Sequence, residues 1–173
     1  AAQALESLGA SSAVPVLASL LEGGVAAAVQ VEGKPHLVQP YNAILEALGT
    51  LGNDDLVATI APFLDHEVPQ VRNAAARAMY QITGDAQYAE RLVKVLDHEQ
   101  LQLRRAALMD LGAVGYLAGA GAIANTLAEN SMKLIALKGV LEHQIKVENE
   151  TAQDICGLSA DSRRVMELMD SLL

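Results

Sequence analysis

The sequence predicts an all-α protein, a solenoid of stacked helix pairs, and three observations carry that prediction. A phrase of the form Ala-Leu-x-x-Leu-Gly recurs: Ala4, Leu5, Leu8 and Gly9, then Ala47, Leu48, Leu51 and Gly52, then in weaker form Ala78, Met79, Ile82 and Gly84, and last Leu111, Val114 and Gly115. After each glycine the apolar residues fall on one face at helical spacing. Hydrophobic residues make up 51% of the 173 positions, yet aromatics only 3%, and tryptophan is absent. A core of Ala, Leu, Val and Ile suits close helix packing better than a sandwich of strands.

The four glycines stand 43, 32 and 31 residues apart, so the period is 31–32 residues and the first interval carries the surplus. The first helix of each pair is marked by Ala13, Leu17, Leu20 and Leu21; by Leu56, Ile60, Phe63 and Leu64; by Tyr88, Leu92, Val95 and Leu96; and, degenerating, by Gly119, Ile123, Thr126 and Leu127. Ser12, Asp54 or Asp55, and Asp85 stand where an N-cap is wanted. The second helices are predicted over Pro40 to Leu51, Gln70 to Thr83, Leu101 to Val114 and Ser131 to about Gln144. Four helix pairs result, in one domain over 1–173. A two-helix unit cannot bury its own apolar face, so neighbours stack.

The surplus of the first interval is residues 23–40, GGVAAAVQVEGKPHLVQP, expected to be a long loop. Gly23, Gly24, Gly33, Pro35 and Pro40 are breakers. Loops longer than about 12–15 residues without structure of their own are commonly functional. At the far end a polar stretch, HQIKVENETAQDICGLS, precedes a C-terminal amphipathic helix over 159–172, marked by Val165, Leu168, Met169 and Leu172, which caps the stack or docks on a partner. The opening AAQALESLGA reads as the tail of a second helix without its partner and without an initiator methionine, so a fragment of a longer protein is expected.

Composition excludes several classes. The formal charge is −9, with 12 basic against 21 acidic residues and no basic cluster denser than Arg104 and Arg105, so nucleic acid is a poor partner. No apolar run approaches the roughly 18–20 residues of a membrane span. The single cysteine, Cys156, rules out an internal disulfide framework and fits a reducing compartment, with the cytosol expected. No Cys and His spacing suggests a metal site, and no glycine-rich phosphate loop is found.

Asp65 with Arg72, and Asp97 with Arg104, repeat one spacing, and Tyr41 stands where those arginines stand in the later repeats. This resembles the HEAT-like repeat, in which such an Asp and Arg form a structural ladder. The segments GGVAAAVQVEGKPHLVQPY, AAARAMYQITGD, LQLRRAALMDLGAVGYLA, LAENSMKLIALKGVLE and RRVMELMDSLL are similar to those of one family. It is that of the E-type subunits of the heterodimeric lyases that attach phycocyanobilin to the phycocyanin α-subunit. Family members carry further repeats before the segment seen here.

The resemblance implies a lyase active only with an F-type HEAT-like partner, which adds a cysteine thiolate of the apo-phycocyanin α-subunit across the ring A ethylidene of phycocyanobilin. No cofactor is implied beyond the bilin as substrate. The lyase would work by positioning, with arginines for the propionates and a carboxylate for the pyrrole nitrogens. Arg77 and Arg105 are candidates for the propionates, and Asp110 for the pyrrole N–H groups. His36 and Tyr41 are candidates for a proton donor near the bilin or for loop anchoring, and Tyr80 for stacking on a pyrrole or for core packing. Cys156 is more readily an incidental thiol than a bilin carrier. Two alternatives stand beside this reading: a non-catalytic scaffold binding phycobiliprotein or bilin for assembly, storage or turnover, and a related lyase that also isomerises the bilin.

Overall fold

The computed structural model describes residues 2–23, 30–31, 34–38, 41–151 and 158–173. The helices are α1 (Ala2–Ser7), α2 (Val14–Ser19), α3 (Tyr41–Leu51), α4 (Val57–Ile60), α5 (Pro69–Thr83), α6 (Ala86–Val95), α7 (Leu101–Val114), α8 (Ala120–Asn125), α9 (Asn130–Thr151) and α10 (Ala160–Asp170). Helix pairs of HEAT type make up the fold, as the glycine spacing predicts. The chain divides into two compact units, Ala1–Tyr88 and Ala89–Leu173.

The first unit packs α1 and α2 against α3, and α3 against α5, around Leu17, Ile44, Leu48, Ile60, Phe63 and Met79. Pro69 opens α5, where a missing N–H is harmless, and Gly84 closes it at φ 69°, a left-handed conformation that costs glycine little. Ala74, Ala75, Ala76 and Ala78 are buried along α5. Their small size lets α3 come close: a Cβ on Gly49 would meet the Ala78 backbone at 2.6 Å.

The long loop expected over 23–40 is not without structure. Strands β1 (Gln30–Val31) and β2 (Lys34–Val38) pair antiparallel, with Gln30 opposite Val38, Val31 opposite Lys34 and an irregularity between the two pairs. Val31, Leu37 and Val38 supply the strand-forming residues. Pro35, which reads as a breaker, lies within β2, a two-stranded ribbon in which each strand pairs on one side only. The first helices also differ from expectation. Each of the two first helices in this unit is split into one-turn pieces, with 3-10 turns at Ser11–Ala13, Asp54–Leu56 and Ala61–Asp65. Ser12, Asp54 and Asp55 therefore lie inside 3-10 turns, and neither helix start has a side-chain cap.

In the second unit α7 lies against α9, and α10 packs on α8 and α9. Leu92, Leu103, Leu108, Leu111, Ile123 and Leu137 are fully buried. The α7–α9 crossing is set by small residues, since a Cβ on Gly139 would sit 2.5 Å from the Gly112 carbonyl oxygen. Helix α9 runs seven residues beyond the expected Gln144. The C-terminal helix is a cap within its unit: Val165 is buried, and Glu148 of α9 accepts from the hydroxyls of Ser159 and Ser162 at the start of α10. Ser159 itself caps α10 by accepting from the Ser162 N–H at 3.0 Å. At Asp85 the expected cap is present, with Oδ1 accepting from the Gln87 N–H at 3.0 Å.

The two repeats with the Asp and Arg spacing share one turn chemistry. Nδ1 of His66 accepts from the Val68 N–H, and Nδ1 of His98 from the Gln100 N–H, each at 3.0 Å. Nη1 of Arg72 donates to the carbonyls of His66 and Glu67, and Nη1 of Arg104 to those of His98 and Glu99. Each arginine thus closes the turn between the helices of its own pair. Arg104 Nε reaches Leu127 O at 2.8 Å as well, which ties α7 to the turn before α9.

Candidate functional site

A mixed-charge network forms where α1, α3 and α5 meet in the first unit. Arg77 of α5 places Nη2 3.5 Å from Glu6 of α1 and Nη1 4.0 Å from Glu46 of α3. The three side chains are only 14–21% exposed. Thr50 donates its hydroxyl to Glu6 at 2.9 Å, and Gln81 Nε2 donates to Thr50 Oγ1 at 3.4 Å. Burial pushes the Glu46 carboxyl above the ordinary range, Arg77 opposes that shift, and the like charge of Glu6 adds to it. Arg77 is the residue expected as a candidate partner for a propionate. It is largely buried between two carboxylates.

Tyr41, expected as a proton donor near the bilin or as a loop anchor, is 4% exposed at the head of α3. Its ring lies 5.6 Å from that of Phe63 and 6.3 Å from that of His66, and its hydroxyl is buried with no hydrogen-bond partner among the described residues. Tyr80 is half-buried, and burial raises its phenol above the usual range. The backbone of His36 lies in β2, but its side chain is outside the described residues, as is all of Cys156.

In the second unit Arg105 of α7 makes a two-pronged pair with Glu129, Nε donating to Oε2 at 3.0 Å and Nη2 to Oε1. This hydrogen bonding holds Glu129 well below the carboxylate range, at about 2, and raises Arg105. Asp110, on the same helix, is a buried carboxyl, 8% exposed. A groove of about 240 Å³ runs between α7 and α9, walled by Met109 and Ile135, floored by Gly112, Ala136 and Gly139, and flanked by the Lys138–Glu142 ion pair. Met109 and Ile135 are 44% and 52% exposed. Among the described residues no group of three or more His, Cys, Asp and Glu could hold a metal ion, and no helix is long and apolar enough to cross a membrane.

Known proteins place this framework. Residues 39–115 match the HEAT repeats family. A phycocyanobilin lyase subunit alpha from Nostoc sp. is 60% identical over 173 residues, covering all of this chain and 61% of that protein. Its counterpart from Picosynechococcus sp. is 57% identical, covering all of this chain and 62% of that protein. The chain is similar to phycocyanobilin lyase alpha subunits along its whole length. Among solved structures, the complex of CpcE and CpcF of phycocyanin lyase from Nostoc sp. contains a chain that matches with TM-score 0.85 and 59% identity, over 99% of this chain and 60% of that one. A bilin biosynthesis protein, RpcE, of Synechococcus sp. is more distant, 36% identical over 143 residues, covering 82% of this chain and 48% of that protein. The chain spans about three fifths of the length of the alpha subunits from Nostoc and Picosynechococcus.

Within the first unit, sequence reasoning brought Arg77 forward but missed Glu6, Glu46, Thr50 and Gln81. A signal existed. Glu46 follows Tyr41 by five residues, as Arg77 follows Arg72, so the two opposite charges hold the same place in successive repeats and meet when the repeats stack. The structure brings Arg77 together with residues of its own unit. It brings Arg105 to Glu129.

Proposed function

We propose that this chain is part of the alpha subunit of a heterodimeric lyase that works with an F-type partner. The pair attaches phycocyanobilin by a thioether to a cysteine of the phycocyanin α-subunit, in a cyanobacterial cytosol. The observation that carries the reading is identity of 57–60% to phycocyanobilin lyase alpha subunits over all 173 residues. The structural relative was solved as a CpcE and CpcF complex of phycocyanin lyase, which supports a partner of F type. The chemistry asks for no nucleophile from the lyase, because the thiolate belongs to the acceptor. What the chain supplies is half-buried polar groups on stacked helices, suited to hold a flexible tetrapyrrole in one conformation and away from side reactions.

A second reading, a scaffold that binds bilin or phycobiliprotein without catalysis, is favoured by one observation: Arg77 and Arg105 are both engaged by carboxylates of the protein. Reconstitution separates the two. The full-length protein, its F-type partner, phycocyanobilin and apo-phycocyanin α-subunit are mixed, and visible absorbance is read after denaturation. Absorbance that survives denaturation and needs both subunits is expected. A scaffold would give absorbance that is lost on denaturation.

A further inference from the structure

Lys133, in the first turn of α9, is only 9% exposed. Its ammonium makes no hydrogen bond or ion pair among the described residues, and its nitrogen is not sealed from solvent. The usual counter-ion for such a lysine would be Glu129, one helical turn earlier. Both oxygens of Glu129 are instead taken by Arg105. A largely buried charge without a partner is costly, and its presence needs a reason.

Lys133 lines a pocket of about 440 Å³ that opens between the start of α7, the end of α8 and the start of α9, with Leu101, Arg104, Asn125 and Leu127 in its walls. Arg104 spends Nε and Nη1 on backbone carbonyls, and its Nη2 has no hydrogen bond among the described residues. The same pocket meets the N-terminal end of α9, a helix of 22 residues, where the backbone carries partial positive charge. The Glu129 carbonyl accepts from the Met132 and Lys133 N–H groups at 3.0 and 3.2 Å, so the N–H groups of Asn130 and Ser131 have no acceptor within the helix.

We propose that this pocket binds a phosphate group as its dianion, with Lys133 and Arg104 Nη2 as charged donors and the first N–H groups of α9 as neutral ones. Charge favours a dianion over a carboxylate. Glu129 is the one carboxylate in the wall among the described residues, and Arg105 neutralises it, which leaves Lys133 and Arg104 as two positive charges without a counter-ion there. The Asn125 amide adds a donor from the end of α8. A helix N-terminus beside lysine and arginine suits phosphate oxygens, which accept from both point charges and planar guanidinium groups. The cavity is larger than a bare phosphate, and Leu101 and Leu127, the latter 82% exposed, give it apolar wall. The source is therefore free phosphate or the end of a small phosphomonoester. The site does not rest on the lyase reading.

The test is calorimetric titration of the full-length protein at low salt with inorganic phosphate and with phenyl phosphate, at about pH 8, where both probes are dianions. Binding at one site per chain is expected. Lys133→Met keeps an apolar stem in the same packing and removes the charge, and should weaken both probes about tenfold or more, the loss of a charge-assisted hydrogen bond. Lys133→Arg should restore part of it. Lys138→Met makes the same change in net charge at an exposed position of α9 outside the pocket and should leave binding unchanged. Glu129→Gln removes the one negative charge from the wall and should tighten both probes several-fold. Tighter binding of phenyl phosphate than of inorganic phosphate identifies a phosphomonoester as the ligand, and equal or weaker binding identifies the free anion. No binding of either probe at millimolar concentration, or an equal loss in Lys133→Met and Lys138→Met, would overturn the proposal. If Lys133→Met does not fold, unchanged or weaker binding by Glu129→Gln would overturn it as well.

Discussion

Glu129, the residue before α9, accepts from both Nε and Nη2 of Arg105 on α7, so one carboxylate ties the second helices of two successive repeats. The pair sits at the surface, with side chains 33% and 42% exposed, and its strength shows mainly in acid. Glu129 titrates at about 2 in the folded protein, below its unfolded value of 4.5. Its contribution is therefore complete above pH 4.5 and is lost as the pH falls towards 2. Thermal unfolding measured across that window should show a steeper acid loss for the wild type than for Glu129→Gln, the two curves converging at the acid end. Parallel curves would mean that the pair contributes nothing to stability.

Arg104 donates to three carbonyls, two in its own turn and one in the next repeat. These hydrogen bonds are exposed, so water takes over the freed carbonyls and Arg104→Ala should cost about 0.5–1.5 kcal/mol in denaturant unfolding. Lysine has no fork, and Arg104→Lys should recover less than half of the loss. Full recovery by lysine would show that charge, and not geometry, is what matters.

The buried hydroxyl of Tyr41 has no hydrogen-bond partner among the described residues, whereas its ring packs with Phe63 and His66. Tyr41→Phe should leave stability unchanged or raise it by up to about 2 kcal/mol, while Tyr41→Ala should lose about 3–5 kcal/mol. Bilin transfer by Tyr41→Phe should match the wild type. A large loss of transfer in a stable Tyr41→Phe protein would instead make the hydroxyl a bilin contact.

On the proposed lyase reading, the β1–β2 ribbon, which interrupts the helical repeat, gates the bilin or docks the partner. Replacing residues 24–39 of the full-length protein with a short turn changes loop-closure entropy by less than about 1 kcal/mol, so helicity and melting should be kept. Transfer should fall on the order of 100-fold, the scale of loss from misplacing a reactant. A folded variant with wild-type transfer would rule out a functional role for this stretch.

Much of the helical framework was legible because its stop signals are local. Pro69 and Gly84 bound α5, and Gly115 ends α7, through backbone chemistry that each residue carries by itself. The ribbon was not legible, since β1 is two residues long and Pro35 lies in β2, where propensity argues against a strand. Arg77 and Arg105 were singled out as candidate propionate ligands, but the carboxylates they meet lie in other repeats, and only packing decides which one each reaches. Glu46 could have been paired with Arg77 from their shared register, whereas nothing local marks Glu6 or Gln81. The burial of Tyr41 was not legible, because its contacts with Phe63 and His66 are made across the repeat and not along the sequence.

The central claim is that this chain serves in covalent bilin transfer, and the most direct measurement is the mass of the acceptor. Apo-phycocyanin α-subunit is incubated with phycocyanobilin and the full-length protein, with and without its F-type partner, then digested and analysed by mass spectrometry. The account predicts one bilin added to a single cysteine peptide, formed faster with both subunits than with either alone or with neither. An acceptor mass unchanged, or modified at the spontaneous rate whether or not both subunits are present, would contradict it.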